Sequence, residues 1–315
     1  MESPKILILN QPFDSITGGG ITLSNLFANW EKEKLAVACS GYLITNKTDS
    51  KLCDNYYQLG SKERSWVFPF NIFSRNYYSG PIKLSNNSEK NVVVEKSKLR
   101  HKLILNYMIP ILDYFGFSHF KAKVKLSPEF CAWVNEFGPQ VIYAQATARE
   151  EVLFCLKFQE HFKIPMVFHM MDDWPKMVGA KGYRRKYWEH KINSELKQLL
   201  DKTNVGMSIS DYMAEAYKKR YGKQFATFHN SINIDFWKKF QRKTYALSEK
   251  PRLLYAGRVG LGIDESLRNI AAAIDKINID LSIGLTFALQ VKDKPDWAAD
   301  YKCVQHNSFV AYDEL

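Results

Sequence analysis

Short apolar runs alternate with helical segments between residues 128 and 228, and this alternation constrains the fold more than any other feature. The runs predict strands at 140–145, 165–169, 205–209 and 225–228. The segments around them carry apolar residues at helical spacing and predict helices at 128–137, 149–161, 183–200 and 211–221. Strands that alternate with helices form a parallel sheet covered by helices. The sequence therefore predicts an α/β fold with a doubly wound parallel sheet.

The N-terminal segment predicts a strand, a glycine cluster and a helix. Residues 6–9 form a continuous apolar run, which is typical of a strand buried on both faces. Apolar residues then recur at the spacing of a helix face, at Leu23, Leu26, Phe27 and Trp30. Between them, Gly18, Gly19 and Gly20 allow a close backbone approach, and N–H groups at a helix start attract phosphate. A flexible turn is the alternative, because the spacing matches neither GxGxxG nor a Walker A loop.

The alternation stops in a polar segment at 238–250 and then restarts. A strand is predicted at 252–256, a helix at 264–277, a strand at 281–287 and a further strand between 303 and 310. We therefore predict two Rossmann-like domains: an N-terminal domain at 1–240, a linker at 241–250 and a C-terminal domain that starts at 251. A complete doubly wound domain has on the order of 100 residues or more. We expect the second domain, at 251–315, to be incomplete.

Composition narrows the functional classes. The five cysteines include no CxxC pair, which favours reduced thiols over a disulfide framework or a zinc site. No apolar run approaches the roughly 18 residues of a membrane span, and the N-terminus shows no signal peptide. We expect a cytoplasmic protein, with the inner face of the membrane as an alternative location. The formal net charge of +11 suits an anionic membrane surface, phosphorylated substrates or nucleic acid.

Two segments combine positive charge with aromatic residues. The first, at 96–126, has helical apolar spacing, a single acidic residue and many cations: Lys96, Lys98, Arg100, Lys102, Lys121, Lys123 and Lys125. The second is the run RRKYW at 184–188. A basic helix with aromatic residues can lie on an anionic bilayer, and a core-packed helix with a solvated basic face is the alternative. Nucleic acid is not favoured, because no nucleic-acid-binding signature accompanies these charges.

Candidate ligand-binding groups follow the predicted strands. Ligands of open α/β sheets bind at the carboxyl ends of the strands. Four loops there carry suitable residues, at 18–20, 169–175 (HMMDDWP), 229–233 (HNSIN) and 257–262 (GRVGLG).

Arg258, His169 and the two adjacent aspartates carry specific chemistry. Arg258 can hold a diphosphate through paired hydrogen bonds, although an exposed loop arginine is the alternative. His169 can contact a ligand or act as a general base for a sugar hydroxyl, and a buried core histidine is the alternative. Asp172 or Asp173 can serve in catalysis or cap the helix entered at Trp174. One histidine and two adjacent acids are too few for a metal site, so none is predicted.

These loops together resemble the GT-B glycosyltransferases, specifically the large retaining group known as family 4. LLYAGR followed by Gly262-Ile263-Asp264 resembles the opening of that family's C-terminal domain. VGMSISDYMAEAYKKRYG resembles the segment before its hinge, and HNSINIDFW resembles its crossover motif. PQVIYAQ and PMVFHMMDDW resemble its central strands. The order and spacing of the motifs carry the resemblance, from the glycine cluster to Leu315.

The resemblance implies transfer of a sugar from a nucleotide-sugar to an acceptor, without a metal or another cofactor. The nucleotide-sugar is a substrate, and the sequence does not choose between UDP and GDP. Gly18, Gly19 and Gly20 would approach the donor or acceptor, and His169 would lie against the transferred sugar. Arg258 and Gly262 would hold the diphosphate, and Asn230 would lie at the hinge or cleft. Retention in this family is explained by attack on the face that the leaving phosphate occupied, so His169 need not be a base.

Two departures from the family pattern qualify this prediction. Leu261 occupies the position of the family's lysine, and the chain ends at AYDEL, before the family's acidic motif. We predict a hexosyl-transferring enzyme that uses a saccharide or a lipid-linked acceptor, in surface polysaccharide or glycolipid synthesis. A non-catalytic binding protein without a donor site is the alternative, and a sugar-nucleotide epimerase of the same fold is a second one.

Overall fold

The computed structural model describes residues 3–15, 17–68, 70–73, 76–84, 104–120, 122–177, 182–232, 234–244, 246, 248, 250–260, 262–308 and 310. The chain divides into two compact units, at 1–232 and 233–315. The domain boundaries predicted from the sequence stay a prediction. Leu261, the AYDEL end and five cations of the first basic segment lie outside the described residues: Lys96, Lys98, Arg100, Lys102 and Lys121.

The first unit is built on one large sheet. Its strands are β1 Ile6–Leu9, β2 Leu35–Ser40, β3 Asn55–Leu59, β4 Arg64–Trp66, β5 Gly80–Lys83, β6 Ala122–Val124, β7 Val141–Gln145, β8 Met166–Met170, β9 Val205–Ser208 and β10 Phe225–Thr227. Eight of them form the sheet β10-β9-β8-β7-β1-β2-β3-β5, which is parallel except for the antiparallel pair β3 and β5. Strands β4 and β6 form a separate antiparallel ribbon.

The helices of the first unit cover both faces of this sheet. They are α1 Gly18–Leu26, α2 Ile109–Phe115, α3 Phe117–Phe120, α4 Pro128–Phe137, α5 Arg149–Phe162, α6 Trp174–Met177, α7 Arg185–Lys202 and α8 Asp211–Tyr221. One core lies between α1 and the sheet, and a larger core lies on the opposite face with α4, α5 and α7. Strands β1 and β2 are buried on both faces, and their residues are apolar except for Ser40 at the end of β2.

Local signals set several helix ends. Ser210 caps α8 by accepting a hydrogen bond from the N–H of Met213, and Gly222 ends that helix in the left-handed conformation. Helix α1 is shorter than predicted, because Phe27 already lies at its C-cap. Trp30 lies beyond the helix, where its indole N–H donates to the carbonyl of Pro4 at 3.1 Å.

The second unit contains a parallel three-stranded sheet in the order β11-β12-β13. Its elements are α9 Ile234–Lys238, β11 Arg252–Ala256, α10 Asp264–Leu281, β12 Thr286–Gln290 and β13 Val304–Asn307. The strand predicted at 281–287 is wrong over its first five residues. The helix runs on to Leu281 and ends where Ser282 takes a positive φ of 53°. The side chain of Asn278 then bonds both the N–H and the carbonyl of Leu285, at 2.7 and 2.8 Å.

None of the helices in the described part of the chain has both the length and the apolar composition needed to span a bilayer.

Candidate functional site

Polar residues gather at the carboxyl edge of the large sheet. Strand β1 is followed by α1 on one face, whereas the neighbouring β7 is followed by α5 on the other. Such a switch in connection leaves a crevice at the strand ends, where ligands of open α/β sheets bind. This edge of the first unit contains the glycine cluster, His169 and the two aspartates.

The glycine cluster forms the first turn of α1 rather than a loop. Thr17 is the N-cap, and its hydroxyl accepts a hydrogen bond from the N–H of Gly20 at 3.0 Å. The carboxylate of Asp14 accepts from the N–H and the hydroxyl of Thr17, at 2.6 and 2.7 Å. A side chain at position 20 would overlap this carboxylate, so a larger residue there would have to displace Asp14 from Thr17. A negative charge therefore already lies beside the helix start, and the anion-binding role of Gly18, Gly19 and Gly20 stays a prediction.

His169 is buried in β8 and held by a chain of hydrogen bonds. The amide of Gln145 donates to the hydroxyl of Tyr143 at 2.9 Å, and that hydroxyl lies 2.6 Å from Nδ1 of His169. Because the hydroxyl accepts from Gln145, its own proton is free to be donated to Nδ1, so the single N–H proton of the neutral ring lies on Nε2. Nε2 is buried and has no partner among the described residues.

Burial also sets the charge of His169. It lowers the pKa of the imidazole to about 4, so the ring is neutral near pH 7. A ring with this pKa is a weak base, but its Nε2–H is a competent donor for a hydroxyl of a ligand. The geometry favours positioning over general-base chemistry for His169.

Asp173 is engaged in a partly buried ion-pair network. Arg220 donates to its two oxygens at 2.6 and 2.9 Å, Lys176 lies 3.0 Å away, and the hydroxyl of Tyr217 donates at 3.2 Å. Burial alone raises the pKa of Asp173, but the hydrogen bonds from Arg220 and Lys176 outweigh it and hold the pKa below its usual range. This engagement favours a structural role for Asp173 over the catalytic role.

Asp172 has an exposed side chain whose carboxylate accepts from the N–H of Trp174 at 3.3 Å. This contact pairs the first N–H of α6, whereas an N-cap side chain bonds the second or third, so the capping alternative also stays a prediction. A catalytic role for Asp172 stays a prediction.

Arg64 occupies the centre of the carboxyl edge, and sequence reasoning missed it. Its guanidinium donates to Ser40 at the end of β2 at 2.6 Å and to the side chain of Asn10, just after β1, at 2.9 Å. It also lies 3.7 Å from Glu150 and 4.0 Å from Glu151, both at the start of α5. The side chain is 11% exposed. No signal in the linear sequence marks it, because β4 is three residues long and pairs with the distant β6.

Glu151 is buried beside Arg64. Its carboxylate accepts from the N–H of Thr147 at 2.7 Å. Burial raises the pKa of Glu151, and the positive charge of Arg64 opposes that rise. Arg64 therefore places a positive charge beside the carboxylate of Glu151. It also joins the ends of β1 and β2 through its bonds to Asn10 and Ser40.

The segment at 229–233, which contains the predicted hinge residue Asn230, is hydrogen-bonded to α1. Asn25 of that helix donates to the carbonyl of Ser231 at 2.9 Å. The neighbouring Asn230 is exposed, and its role at the hinge or cleft stays a prediction.

The second unit holds the other predicted donor-binding residues, in the loop after β11. Arg258 is exposed, and its carbonyl accepts from the hydroxyl of Tyr255 at 2.6 Å. Gly260 and Gly262 take positive φ angles of 116° and 83°, with open space where a side chain would lie. Asp264 is the first residue of α10 rather than its cap, and its carboxylate accepts from the N–H of Gly260 at 2.9 Å. The diphosphate-binding role of Arg258 and Gly262 stays a prediction.

The first unit also has a polar depression on its surface. A depression of about 410 Å³ is lined by Lys176, Lys186, Glu189, His190, Asn193 and Arg220, next to the Asp173 network.

Within the described ranges, no three or more His, Cys, Asp or Glu side chains are grouped closely enough to bind a metal ion together. Metal-independent chemistry stays a prediction.

Comparison with family models and with curated proteins finds no match. Solved structures do match. Sucrose-phosphate synthase from Thermosynechococcus elongatus matches with a TM-score of 0.51 and 13% identity, over 99% of this chain and 72% of that one. Anabaena HepE in complex with UDP has a TM-score of 0.49, 13% identity and coverages of 98% and 70%. Trehalose 6-phosphate synthase from Burkholderia multivorans has a TM-score of 0.49, 10% identity and coverages of 99% and 75%.

The match to sucrose-phosphate synthase extends over nearly the whole chain and concerns the fold alone. The α/β architecture with Rossmann-like parallel sheets in both units agrees with it. The prediction of a GT-B glycosyltransferase fold is confirmed, and the chain has that fold.

Proposed function

We propose that this chain is a glycosyltransferase that moves a sugar of the hexose type from a nucleotide-sugar to a saccharide or lipid-linked acceptor. Its role would be in the synthesis of a surface polysaccharide or glycolipid. One observation carries the proposal. In a chain with the GT-B fold, a buried neutral histidine, whose Nε2 has no partner among the residues that the structure describes, lies at the carboxyl edge of the first sheet. A second feature supports it: a glycine-flanked arginine, Arg258, follows the first strand of the second sheet.

The proposed chemistry divides between these residues. The Nε2–H of His169 donates to a hydroxyl of the transferred sugar and fixes its orientation. The guanidinium of Arg258 pairs with the diphosphate, whose negative charge grows as the glycosidic bond breaks, so it stabilises the transition state. The leaving phosphate takes the proton of the acceptor hydroxyl, which gives retention without a metal ion and without a protein base.

The test uses the full-length protein with a panel of UDP- and GDP-sugars. We expect His169→Ala and Arg258→Ala each to lower kcat about 100-fold or more, which is typical for the loss of a donor to a developing charge or of a positioning contact. His161→Ala and Arg268→Ala are matched controls at exposed helical positions and should leave kcat unchanged. Unchanged turnover in both site variants would exclude the proposed roles.

A non-catalytic binding protein is the second candidate. The carboxylate of Asp14 beside Gly20 and the leucine at position 261 both favour it, because each weakens the binding of a diphosphate. Release of a nucleoside diphosphate that depends on an acceptor would rule it out. Product analysis with the donor alone separates transfer from epimerisation.

A further inference from the structure

Two segments that are distant in the sequence form one surface in the first unit. The N–H of Tyr183, just before α7, donates to the carbonyl of Tyr114 in α2 at 2.8 Å. The guanidinium of Arg184 lies 5.6 Å from the ring centre of Phe117 in α3. The backbone of Gly116, between α2 and α3, lies so close to the indole of Trp188 that a side chain there would overlap it. Helices α2 and α3 therefore pack against the start of α7.

This surface exposes large apolar side chains. Six of them are between 46% and 80% exposed: Tyr107, Ile111, Tyr114, Phe115, Tyr183 and Tyr187. In α2, Ile111, Tyr114 and Phe115 have the spacing of one helix face, whereas Leu112 is the buried residue of that helix. A surface helix of a globular protein normally turns its apolar face to the core. Core packing therefore does not account for these residues.

Positive charge accompanies the exposed aromatic rings. Arg184, Arg185 and Lys186 are consecutive, exposed and located at the start of α7, whose first turn contains no acidic residue. Cations at a helix N-terminus interact unfavourably with the helix dipole, so they do not stabilise α7 itself. In the described parts of these segments, the exposed carboxylates are those of Asp113 and Glu189, which leaves cations in excess there.

We propose that this aromatic-basic surface binds an anionic lipid bilayer. The aromatic and aliphatic side chains enter the headgroup region, where tyrosine rings are stable because one end is apolar and the other polar. Arg184, Arg185 and Lys186 pair with lipid phosphates, and the net charge of +11 attracts the protein to the surface. Lipid binding needs no donor or acceptor, so the proposal stands apart from the proposed glycosyl transfer.

Co-sedimentation with vesicles tests the proposal directly. We expect the protein to sediment with vesicles that contain phosphatidylglycerol and to stay in solution with pure phosphatidylcholine vesicles. High salt should release a large part of the bound protein, because it screens exposed charges. Failure to bind the anionic vesicles at low salt overturns the proposal.

Variants locate the surface. The double change Arg185→Glu with Lys186→Glu should weaken partitioning at least about 25-fold, because each lost cation accounts for about fivefold. Tyr114→Ser with Phe115→Ser should also weaken it about tenfold, through lost apolar insertion. The controls are Lys218→Glu with Lys219→Glu and Tyr212→Ser, all exposed positions on α8.

Equal partitioning by the surface and control variants overturns the proposal. Thermal unfolding identifies any variant that fails to fold, and Tyr183→Ser with Tyr187→Ser then replaces it. A second copy of the chain could cover the same surface instead of lipid, and analytical ultracentrifugation tests for it. A change of oligomeric state in the aromatic variants, with vesicle binding intact, would mean that the surface joins copies of the protein rather than lipid.

Discussion

Burial keeps His169 neutral, so the free energy of unfolding of the protein should depend on pH. Its pKa is about 4 in the folded protein, below the ordinary value of 6.5. Between these pH values the unfolded chain binds a proton that the folded chain does not, so the free energy of unfolding falls as the pH decreases. The loss amounts to about 2 kcal/mol between pH 7 and pH 5.

The variant His169→Gln isolates this contribution. It cannot titrate, so its free energy of unfolding should fall less than that of the wild type over the same range. Urea unfolding at a series of pH values measures both curves. A constant difference between them from pH 7 to pH 5 would mean that His169 titrates normally.

Arg64 should be more important for stability than any exposed arginine. Arg64→Met removes the donors to Asn10 and Ser40 and leaves the buried Glu151 without its cation. We expect a loss of about 2 to 4 kcal/mol in the free energy of unfolding, measured with urea at pH 7. Arg185→Met, at an exposed position, should change it by less than about 0.5 kcal/mol. Equal effects of the two changes would show that the Arg64 contacts do not form.

The sequence draws attention to some residues of the candidate site and gives no sign of others. The sequence singled out His169 and Arg258 because each ends or directly follows a clear apolar run, and ligands of open α/β sheets bind at the carboxyl ends of the strands; the roles of both residues stay predictions. Arg64 follows no such run, and its partners come from strands far away in the sequence. From the sequence, Gly20 was expected to allow the close approach of a ligand. In the structure, the carboxylate of Asp14 lies where a side chain at position 20 would be. That distinction depends on interatomic distances, which a spacing pattern does not contain.

Asp173 and Arg220 connect the segment before α6 to α8, and this connection should show as a coupling energy. In a double-mutant cycle of Asp173→Asn and Arg220→Met, we expect a coupling of about 1 to 3 kcal/mol in urea unfolding. The matched control is the exposed pair Lys197 and Asp201 on α7, 2.8 Å apart, which should couple by about 0.5 kcal/mol or less. A loss of turnover in Asp173→Asn without any loss of stability would instead indicate catalysis.

Secondary-structure elements were predicted best where one physical signal dominates. Strand β1 is fully buried, so its apolar run is unambiguous. Helix α8 has a serine cap and a terminal glycine, and both ends were found. The start of β12 was misplaced because the apolar run of α10 continues towards it. The end of that helix depends on the side-chain contacts of Asn278, which leave no periodic signal.

The whole molecule contains separate hydrophobic cores in its two units. The cores of the first unit lie on the two faces of the large sheet, whereas Phe287, Leu289, Trp297 and others form the core of the second. Among the described residues, the buried residues of each core cluster belong to a single unit. Local stability should therefore respond to the core in which a cavity is made.

Hydrogen exchange can follow this response along the chain. Phe287→Ala opens a cavity in the second unit that should cost about 3 to 5 kcal/mol, so amides of β11, β12 and β13 should exchange faster. Amides of β7, β8 and β9 should keep their protection. Phe168→Ala, in the larger core of the first unit, should give the reverse pattern. Faster exchange throughout the chain in both variants would mean that the two units unfold as one, because separate cores lose protection separately.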